Sequence, residues 1–409
     1  MPASPCEPLR DLFLLDPDLV FLNHGSFGAC PRPVIEAQQR WQLELERNPV
    51  EFLGRRSAAL LAQARARLAA VLGALGEDLV FVSNATTGVN IVARSLALRP
   101  GDEVLGTDQE YGACAAAWQF VCARRGATYR PVTIPLPFEP ATFAERVLAA
   151  TSARTKAIFC SHVTSTTALV WPLAELCRGA RELGITTVID GAHAPGQIDL
   201  DLEAIGADHY AGNCHKWLCA PKGAGFLHAR KAAQDALDAT VISWGYVAGT
   251  AGKAGAAAPA QGESAAAGGH TGFDAYTGRT TFERRLQWQG TRDITPWLAV
   301  PAALDFLQAH DWPRRRAECH ARAVALMHRV LARNGLAAIA PDEAFAQMVA
   351  IPVRATDPEA LRRWLFERHR IEVPVTTHGG QAFVRVSVQA YNSDAELAAL
   401  EAALAEAGV

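Results

Sequence analysis

Two stretches decide the fold: Ile189-Asp190-Gly191-Ala192-His193-Ala194-Pro195-Gly196, and Asn213-Cys214-His215-Lys216-Trp217 a short way downstream. The β-branched and apolar run Ile185-Thr186-Thr187-Val188-Ile189 predicts a buried strand that ends at Asp190. Open α/β sheets bind ligands at the carboxyl edge, so we expect Asp190 to face a ligand site. The second stretch adds Lys216 between a histidine and a tryptophan.

An acid and a lysine at one edge of such a sheet suit pyridoxal 5'-phosphate (PLP). PLP needs a lysine for a Schiff base, a carboxylate at the pyridine nitrogen, a phosphate cradle and a flat group against its ring. Asp190 would keep the ring nitrogen protonated, so that electrons released at the substrate α-carbon flow into the ring. Lys216 would hold the cofactor and later move protons at that carbon. Either residue alone is more often a turn acid or a surface lysine, so the hypothesis depends on the pair.

A candidate phosphate cradle lies upstream, where Ser83-Asn84-Ala85-Thr86-Thr87-Gly88 separates a predicted strand (79–82) from a predicted helix (89–98). Small hydroxyl residues at such a junction leave free backbone N–H groups pointing at one spot, and the helix dipole attracts an anion there. An ordinary helix N-cap has a similar sequence. The chain has no Gly-x-Gly-x-x-Gly fingerprint and no P-loop, which argues against dinucleotides and nucleoside triphosphates.

Composition excludes several classes of partner. The 409 residues carry a net charge of −3 with both signs interspersed, so no basic stripe for nucleic acid is present. No apolar run reaches the ~20 residues of a membrane span, and the N-terminus lacks a basic-then-apolar segment, so we expect a cytoplasmic protein without a membrane partner. The nine cysteines are scattered and show no Cys-x-x-Cys spacing, which favours neither disulfides nor a metal site.

Predicted strands and helices alternate from about residue 79 to residue 227, which indicates an α/β fold with a mostly parallel sheet. We expect a large domain over residues 20–300, and a smaller α+β domain from residues 1–19 and 301–409. The Ala- and Gly-rich residues 248–272 predict a flexible surface loop, either a lid or passive disorder. Tyr111 follows a predicted strand and is placed to lie against a cofactor ring, although a half-buried interface tyrosine fits the position too.

From Leu22-Asn23-His24-Gly25-Ser26-Phe27-Gly28 to Arg385-Val386-Ser387-Val388-Gln389-Ala390-Tyr391-Asn392, the chain resembles class V aminotransferases, which are fold type I PLP enzymes, and within them the isopenicillin N epimerase-like branch. The resemblance implies that Lys216 attaches the cofactor, that Asp190 binds the pyridinium and that His193 contacts the phenolic oxygen or the ring.

The resemblance also implies further contacts. The Ala85-Thr86-Thr87 loop would hold the phosphate, with Asn213 and His215 assisting. Thr291 would reach the phosphate in the neighbouring subunit of a homodimer. Arg385 would grip the substrate α-carboxylate, a bidentate task that suits arginine. Asn23 and His24 are candidates to line the substrate cavity, although an Asx-type turn with a satisfied histidine is equally compatible with the sequence.

The leading hypothesis is an amino acid epimerase or racemase, in which Lys216 works on one face of the α-carbon. Tyr111, Tyr246 and His24 are candidates for a second acid/base. A C–S β-lyase acting on a cysteine conjugate is the alternative, and aminotransfer is third, because all three share the first step. Cysteine desulfurases of the class that the chain resembles carry a nucleophilic cysteine on a loop before the arginine that corresponds to Arg385. No cysteine follows Cys319 here, so persulfide chemistry is disfavoured. A different kind of function also stays open: a protein that keeps the PLP fold for binding or regulation and catalyses no reaction.

Overall fold

A seven-stranded sheet lies at the centre of the fold. The computed structural model describes residues 6–246, 275 and 277–409. Its strands are β1 (Val20–Phe21), β2 (Leu79–Val82), β3 (Glu103–Thr107), β4 (Thr128–Val132), β5 (Thr155–Ser161), β6 (Thr186–Gly191), β7 (His209–Asn213), β8 (Gly225–Ala229), β9 (Met348–Val353), β10 (Ile371–Glu372), β11 (Val375–His378) and β12 (Gln381–Ser387).

The order in the central sheet is β2-β8-β7-β6-β5-β3-β4, and only β8 runs antiparallel to its neighbours. Strands β2, β3, β7 and β8 are buried along their whole length, as expected for strands with both faces covered, and β2 accordingly is an uninterrupted apolar run. The predicted α/β class with a mostly parallel sheet is confirmed.

Helices cover both faces of this sheet. Those with described bounds are α1 (His24–Phe27), α2 (Arg32–Arg47), α3 (Pro49–Glu51), α4 (Ser57–Leu72), α5 (Ala85–Ser95), α6 (Gly112–Arg125), α7 (Phe143–Ala149), α8 (Leu173–Glu182), α9 (Leu202–Ile205), α10 (Thr281–Gln287), α11 (Thr295–Leu298), α12 (Val300–Ala309), α13 (Trp312–Asn334), α14 (Pro358–His369) and α15 (Asp394–Glu406). A π turn, Phe52–Arg56, separates α3 from α4.

The C-terminal part contains a three-stranded antiparallel sheet in the order β11-β12-β9. Strand β1 pairs with β10, so the chain near residue 20 joins this part rather than the central sheet. The two-domain division with a boundary near residue 300 stays a prediction. The loop predicted at residues 248–272 lies outside the described residues.

Within residues 6–246, 275 and 277–409, no helix combines the length and the apolar character needed to cross a membrane.

Candidate active site

A cavity of about 310 Å³ opens at the carboxyl edge of the central sheet. This is where open α/β folds bind ligands, and the volume lies at the lower end of the range typical of small-molecule sites. Strands β5, β6 and β7 end there, and β12 of the C-terminal sheet closes one side. The cavity brings together most of the residues selected from the sequence, namely Thr86, Tyr111, Asp190, His193, Asn213, His215, Lys216 and Arg385.

Lys216 and His193 are in direct contact. The lysine Nζ lies 3.1 Å from Nε2 of His193, and the indole N–H of Trp217 donates to Nδ1 of the same ring at 3.5 Å. An indole only donates, so the ring proton belongs on Nε2 and points at the lysine nitrogen. Burial, with the nearby Arg385 charge, lowers the pKa of Lys216 to about 7. The lysine is therefore a partly neutral amine at neutral pH, as a nucleophile must be.

A glycine makes the position of Lys216 possible. Gly28 has φ +70°, and a Cβ there would lie 2.1 Å from the carbonyl oxygen of His215 and 2.9 Å from Cα of Lys216. No side chain fits in that space, so the Gly25-Ser26-Phe27-Gly28 segment packs its backbone directly against the lysine loop.

Asp190 ends β6 and is 3% exposed. One carboxylate oxygen accepts from the backbone N–H of Ala192 at 2.9 Å, and the other accepts from the Cys114 thiol at 3.3 Å. Burial raises the pKa of this carboxyl, and the hydrogen bonds oppose the shift only in part. A protonated ring nitrogen placed against Asp190 would offset that burial.

The predicted phosphate cradle is partly occupied by its own chain. The backbone N–H of Ala85 donates to the Asn213 side chain, and that of Thr87 donates to the Asn84 side chain, both at 2.8 Å. Of the three predicted residues, Thr86 is the one that lines the cavity. The amide N–H groups of Asn213 and the N-terminus of α5 add further attraction for an anion.

His215 lines the same end of the cavity. Its Nδ1 bonds to the Ala224 carbonyl at 3.1 Å, which assigns the ring proton to Nδ1 and leaves Nε2 as the second polar atom. Burial lowers the pKa of His215 to about 4. A phosphate dianion against the ring would shift that pKa upward.

Arg385 is a buried cation whose partners are all neutral. It is 4% exposed and lies on β12. Its Nη1 donates to the Ser165 carbonyl at 2.6 Å, and its Nη2 donates to the Ser26 hydroxyl at 3.0 Å. Its Nε has no hydrogen-bond partner in the described part of the chain. Burial lowers the pKa of the guanidinium to about 10. This arrangement fits a ligand carboxylate.

The donor set therefore matches PLP: an amine, an acid for the ring nitrogen, an anion site and a cation for the substrate carboxylate. A model of the family described as aminotransferase class V matches residues 20–400.

The chain belongs to aminotransferase class V.

Individual class V relatives agree with this assignment. The chain is 41% identical to an isopenicillin N epimerase of Streptomyces clavuligerus over 99% of this chain and 98% of the relative. It is 28% identical to a probable chloroplastic L-cysteine desulfhydrase of Arabidopsis thaliana, over 92% and 80% of the two chains. A solved structure of a C-DES mutant with glycine covalently linked to PLP superposes with a TM-score of 0.79, covering 98% and 99% at 24% identity, which shows the shared fold. The protein is a PLP-dependent enzyme of fold type I.

Asn23 and His24 lie beside this class V site without lining its cavity. The Asn23 side chain accepts from Ser26 at 2.6 Å and from Arg385 at 3.4 Å. His24 is fully buried, with Nε2 3.1 Å from the Lys216 carbonyl and Nδ1 3.1 Å from the hydroxyl of Tyr391. Burial lowers the pKa of His24 to about 3. Both geometries favour positioning roles over the predicted contact with substrate.

The three remaining residues that the sequence suggested for the site lie in different places. Tyr111 lines the cavity and is 46% exposed. Tyr246 does not line the cavity, and its ring lies 5.9 Å from the Arg285 guanidinium carbon. Thr291 is exposed in the loop between α10 and α11 and is not among the lining residues of its own chain. Its contact with a neighbouring subunit stays a prediction.

Sequence reasoning missed several groups of the site. Besides Cys114, Ser26 and Ser165, it overlooked Glu110, whose carboxylate accepts from the hydroxyls of Thr107 at 2.7 Å and Ser161 at 2.8 Å. Burial raises the pKa of Glu110 to about 8. The available signal was an acid three residues beyond the end of a buried strand, a weaker form of the pattern that selected Asp190.

Proposed function

We propose that the protein is an amino acid epimerase that removes the α-proton of its substrate and returns it to the opposite face. The observation that supports this best is that Lys216 and Tyr111 line one cavity. The 41% identity to an isopenicillin N epimerase over nearly the full chain adds support, because that relative is named for inversion of a stereocentre.

Each side chain has a role in this proposal. PLP supplies the sink for electrons released at the α-carbon. Lys216 would hold the cofactor and then carry a proton at one face of that carbon, with His193 orienting its nitrogen. Asp190 would keep the ring nitrogen protonated, Thr86, Asn213 and His215 would bind the phosphate, and Arg385 would orient the substrate carboxylate.

Tyr111 is the group we assign to the second face. It is the one candidate of the three whose side chain lines the cavity, because His24 has both ring nitrogens bonded within the protein and Tyr246 lies elsewhere. Burial would otherwise hinder proton exchange with solvent, but the partly exposed phenol can exchange its proton between turnovers.

The test of the reaction type is incubation of single enantiomers of a panel of amino acids and aminoacyl peptides in D₂O. Chiral chromatography would measure inversion, mass spectrometry would measure α-deuterium, and separate assays would measure pyruvate and sulfide. We expect inversion with one deuterium incorporated and no pyruvate. Release of pyruvate with a sulfur product and no inversion would contradict the proposal.

That second outcome is the C–S lyase alternative. The similarity to a cysteine desulfhydrase favours it as the runner-up, since β-elimination begins with the same loss of the α-proton. No cysteine lines the cavity within the described residues, so a cysteine nucleophile for persulfide chemistry is not available there.

Replacing Tyr111 by phenylalanine tests the second acid/base. We expect Tyr111→Phe to lower epimerisation by about 100-fold or more, the scale of general acid/base contributions, while deuterium still enters at the face served by Lys216. Tyr246→Phe is the matched control, because it removes the same hydroxyl outside the cavity. Equal epimerisation rates in both variants would remove Tyr111 from the mechanism.

The proposal includes a homodimer in which Thr291 approaches the phosphate of the neighbouring cavity. Its support is that Thr291 is exposed and lies away from its own cavity. Light scattering on the holoenzyme gives the oligomeric state, and a monomer that binds PLP at full occupancy would contradict it. Location in the cytoplasm stays a prediction.

A further inference from the structure

A cluster of potential metal ligands lies at the edge of the central sheet opposite the cavity. His228 is on β8, in register with Leu79 of β2 and Tyr210 of β7. Asp78 ends the 3-10 turn just before β2, and Glu203 belongs to the short helix α9. Three segments that are distant in sequence therefore meet at this point.

The imidazole of His228 is buried without a hydrogen bond. The residue is 1% exposed, and neither Nδ1 nor Nε2 has a partner in the described part of the chain. Oε1 of Glu203 lies 3.8 Å from Nε2 of His228, which is too long for a hydrogen bond. A buried polar ring without partners is unfavourable unless another group satisfies it.

The geometry of the cluster suits a cation. One ligand atom from each of Asp78, Glu203 and His228 lies within 4.8 Å of the other two. Asp78 is buried, and Nε2 of Gln234 donates to its Oδ1 at 2.6 Å, which orients the second carboxylate oxygen. No lysine or arginine forms an ion pair with Asp78 or Glu203 among the described residues. Two carboxylates therefore face one imidazole, and the Arg230 charge that also acts on His228 is ion-paired with Asp208 rather than with either carboxylate.

We propose that Asp78, Glu203 and His228 bind one divalent transition-metal ion of the zinc class. Imidazole nitrogen and carboxylate oxygens are ligands that such ions accept, and three protein ligands leave a further position for water. Metal–ligand distances of about 2.1 Å require ligand atoms about 3.4 Å apart, so the cluster must contract slightly. Glu203 is exposed, and its flexible side chain supplies that movement.

The expected consequence is structural. The ion would add a direct link between the turn before β2, α9 and β8, beyond the hydrogen bonds that Gln234 donates to Asp78 and that the Glu203 N–H donates to the Gly73 carbonyl. His228 lies three residues along β8 from Gly225, and Gly225 pairs with Asn213 at the cavity, so the ion would sit roughly 10 Å from the PLP site. Binding would therefore raise stability without taking part in the reaction, and it is independent of the proposed epimerase function.

The experiment uses holoenzyme freed of unbound PLP and treated with a chelator. Zn²⁺ is titrated against a chromophoric competitor, and Co²⁺ is added as a spectroscopic probe. We expect one ion per chain, a higher thermal midpoint with Zn²⁺, and Co²⁺ d–d bands without the intense near-ultraviolet charge transfer that thiolates give.

Two ligand variants and one control variant locate the ion. Glu203→Gln removes a ligand at an exposed position and should weaken Zn²⁺ binding by more than about 10-fold. Changing a residue that only orients a metal ligand typically costs at least that much affinity. Glu77→Gln removes the same charge from the exposed residue next to Asp78, and it should leave binding unchanged. His228→Gln should abolish binding if it folds.

The proposal is overturned by any of three results: no stoichiometric Zn²⁺ binding, equal affinities for wild type and Glu203→Gln, or a thiolate charge-transfer band that assigns the ion to a cysteine. PLP absorbance and epimerisation serve as fold controls, since none of these variants touches the cavity.

Discussion

Asp190 and Arg385 are buried charges of opposite sign that line the same cavity without pairing with each other. Asp190 is held by a backbone N–H and a thiol, whereas Arg385 is held by a carbonyl and hydroxyls from two other segments. Burial opposes both charges, raising the pKa of the acid and lowering that of the guanidinium. The chain thus keeps two complementary charges apart, so that one can act on a cofactor ring and the other on a substrate carboxylate.

The largest effect is expected at the acid. Asp190→Asn keeps the shape but not the charge, so the PLP nitrogen would lose its proton. We predict that kcat falls by roughly 100- to 1,000-fold, the range for loss of one preorganised electrostatic contact, while KM changes little.

Stopped-flow or steady-state rates with the best substrate measure the change, and the absorbance of bound PLP confirms that the cofactor is retained. A variant with near-native kcat would show that Asp190 does not act through the ring.

A smaller effect of another kind is expected at the cation. Arg385→Lys keeps the charge but loses the planar, bidentate donor pair. We predict a KM increase of about 10- to 100-fold, with a smaller change in kcat.

The control is an amine that lacks the α-carboxylate. Its binding to the holoenzyme, followed by the spectral change, should be the same in wild type and Arg385→Lys. An equal loss for both ligands would mean that the variant disturbs the cavity and not carboxylate recognition.

The smallest effect concerns Lys216 between the two charges. Its pKa falls from the usual 10.5 to about 7 in the folded apoenzyme. Between these values the unfolded chain binds more protons than the folded chain, so stability should rise with pH over this window. The slope is at most about 1.4 kcal/mol per pH unit.

Urea denaturation of apoenzyme at several pH values from 7 to 10 measures this dependence. Lys216→Met removes the titrating group at similar volume, and the difference between wild type and variant should grow in favour of wild type as the pH rises. Parallel curves would show that Lys216 is not desolvated in the folded chain.

Local sequence was enough to predict several strands and the reactive residues that stand at their ends. The strands predicted over residues 79–82 and 185–189 are β2 and β6 within two residues. Strand β7 was missed because His209-Tyr210-Ala211-Gly212-Asn213 contains poor strand formers. It is a strand because β6 and β8 pair with it on both sides. The glycine at position 212 leaves room for the Phe226 ring of β8, since a Cβ there would lie 2.4 Å from that ring.

The sequence by itself determined that a lysine and an acid stand at the ends of neighbouring β-rich segments, because strand and turn propensities act over a few residues. Only the tertiary structure decided which backbone N–H groups of the Ala85-Thr86-Thr87 loop remain available, since the competing acceptor, Asn213, is far away in the chain. It also decided that the His24 ring bonds to the backbone carbonyl of Lys216, and that His228 lies close to the carboxylates of Asp78 and Glu203. Burial and partner geometry are properties of the packed chain, and no local pattern encodes them.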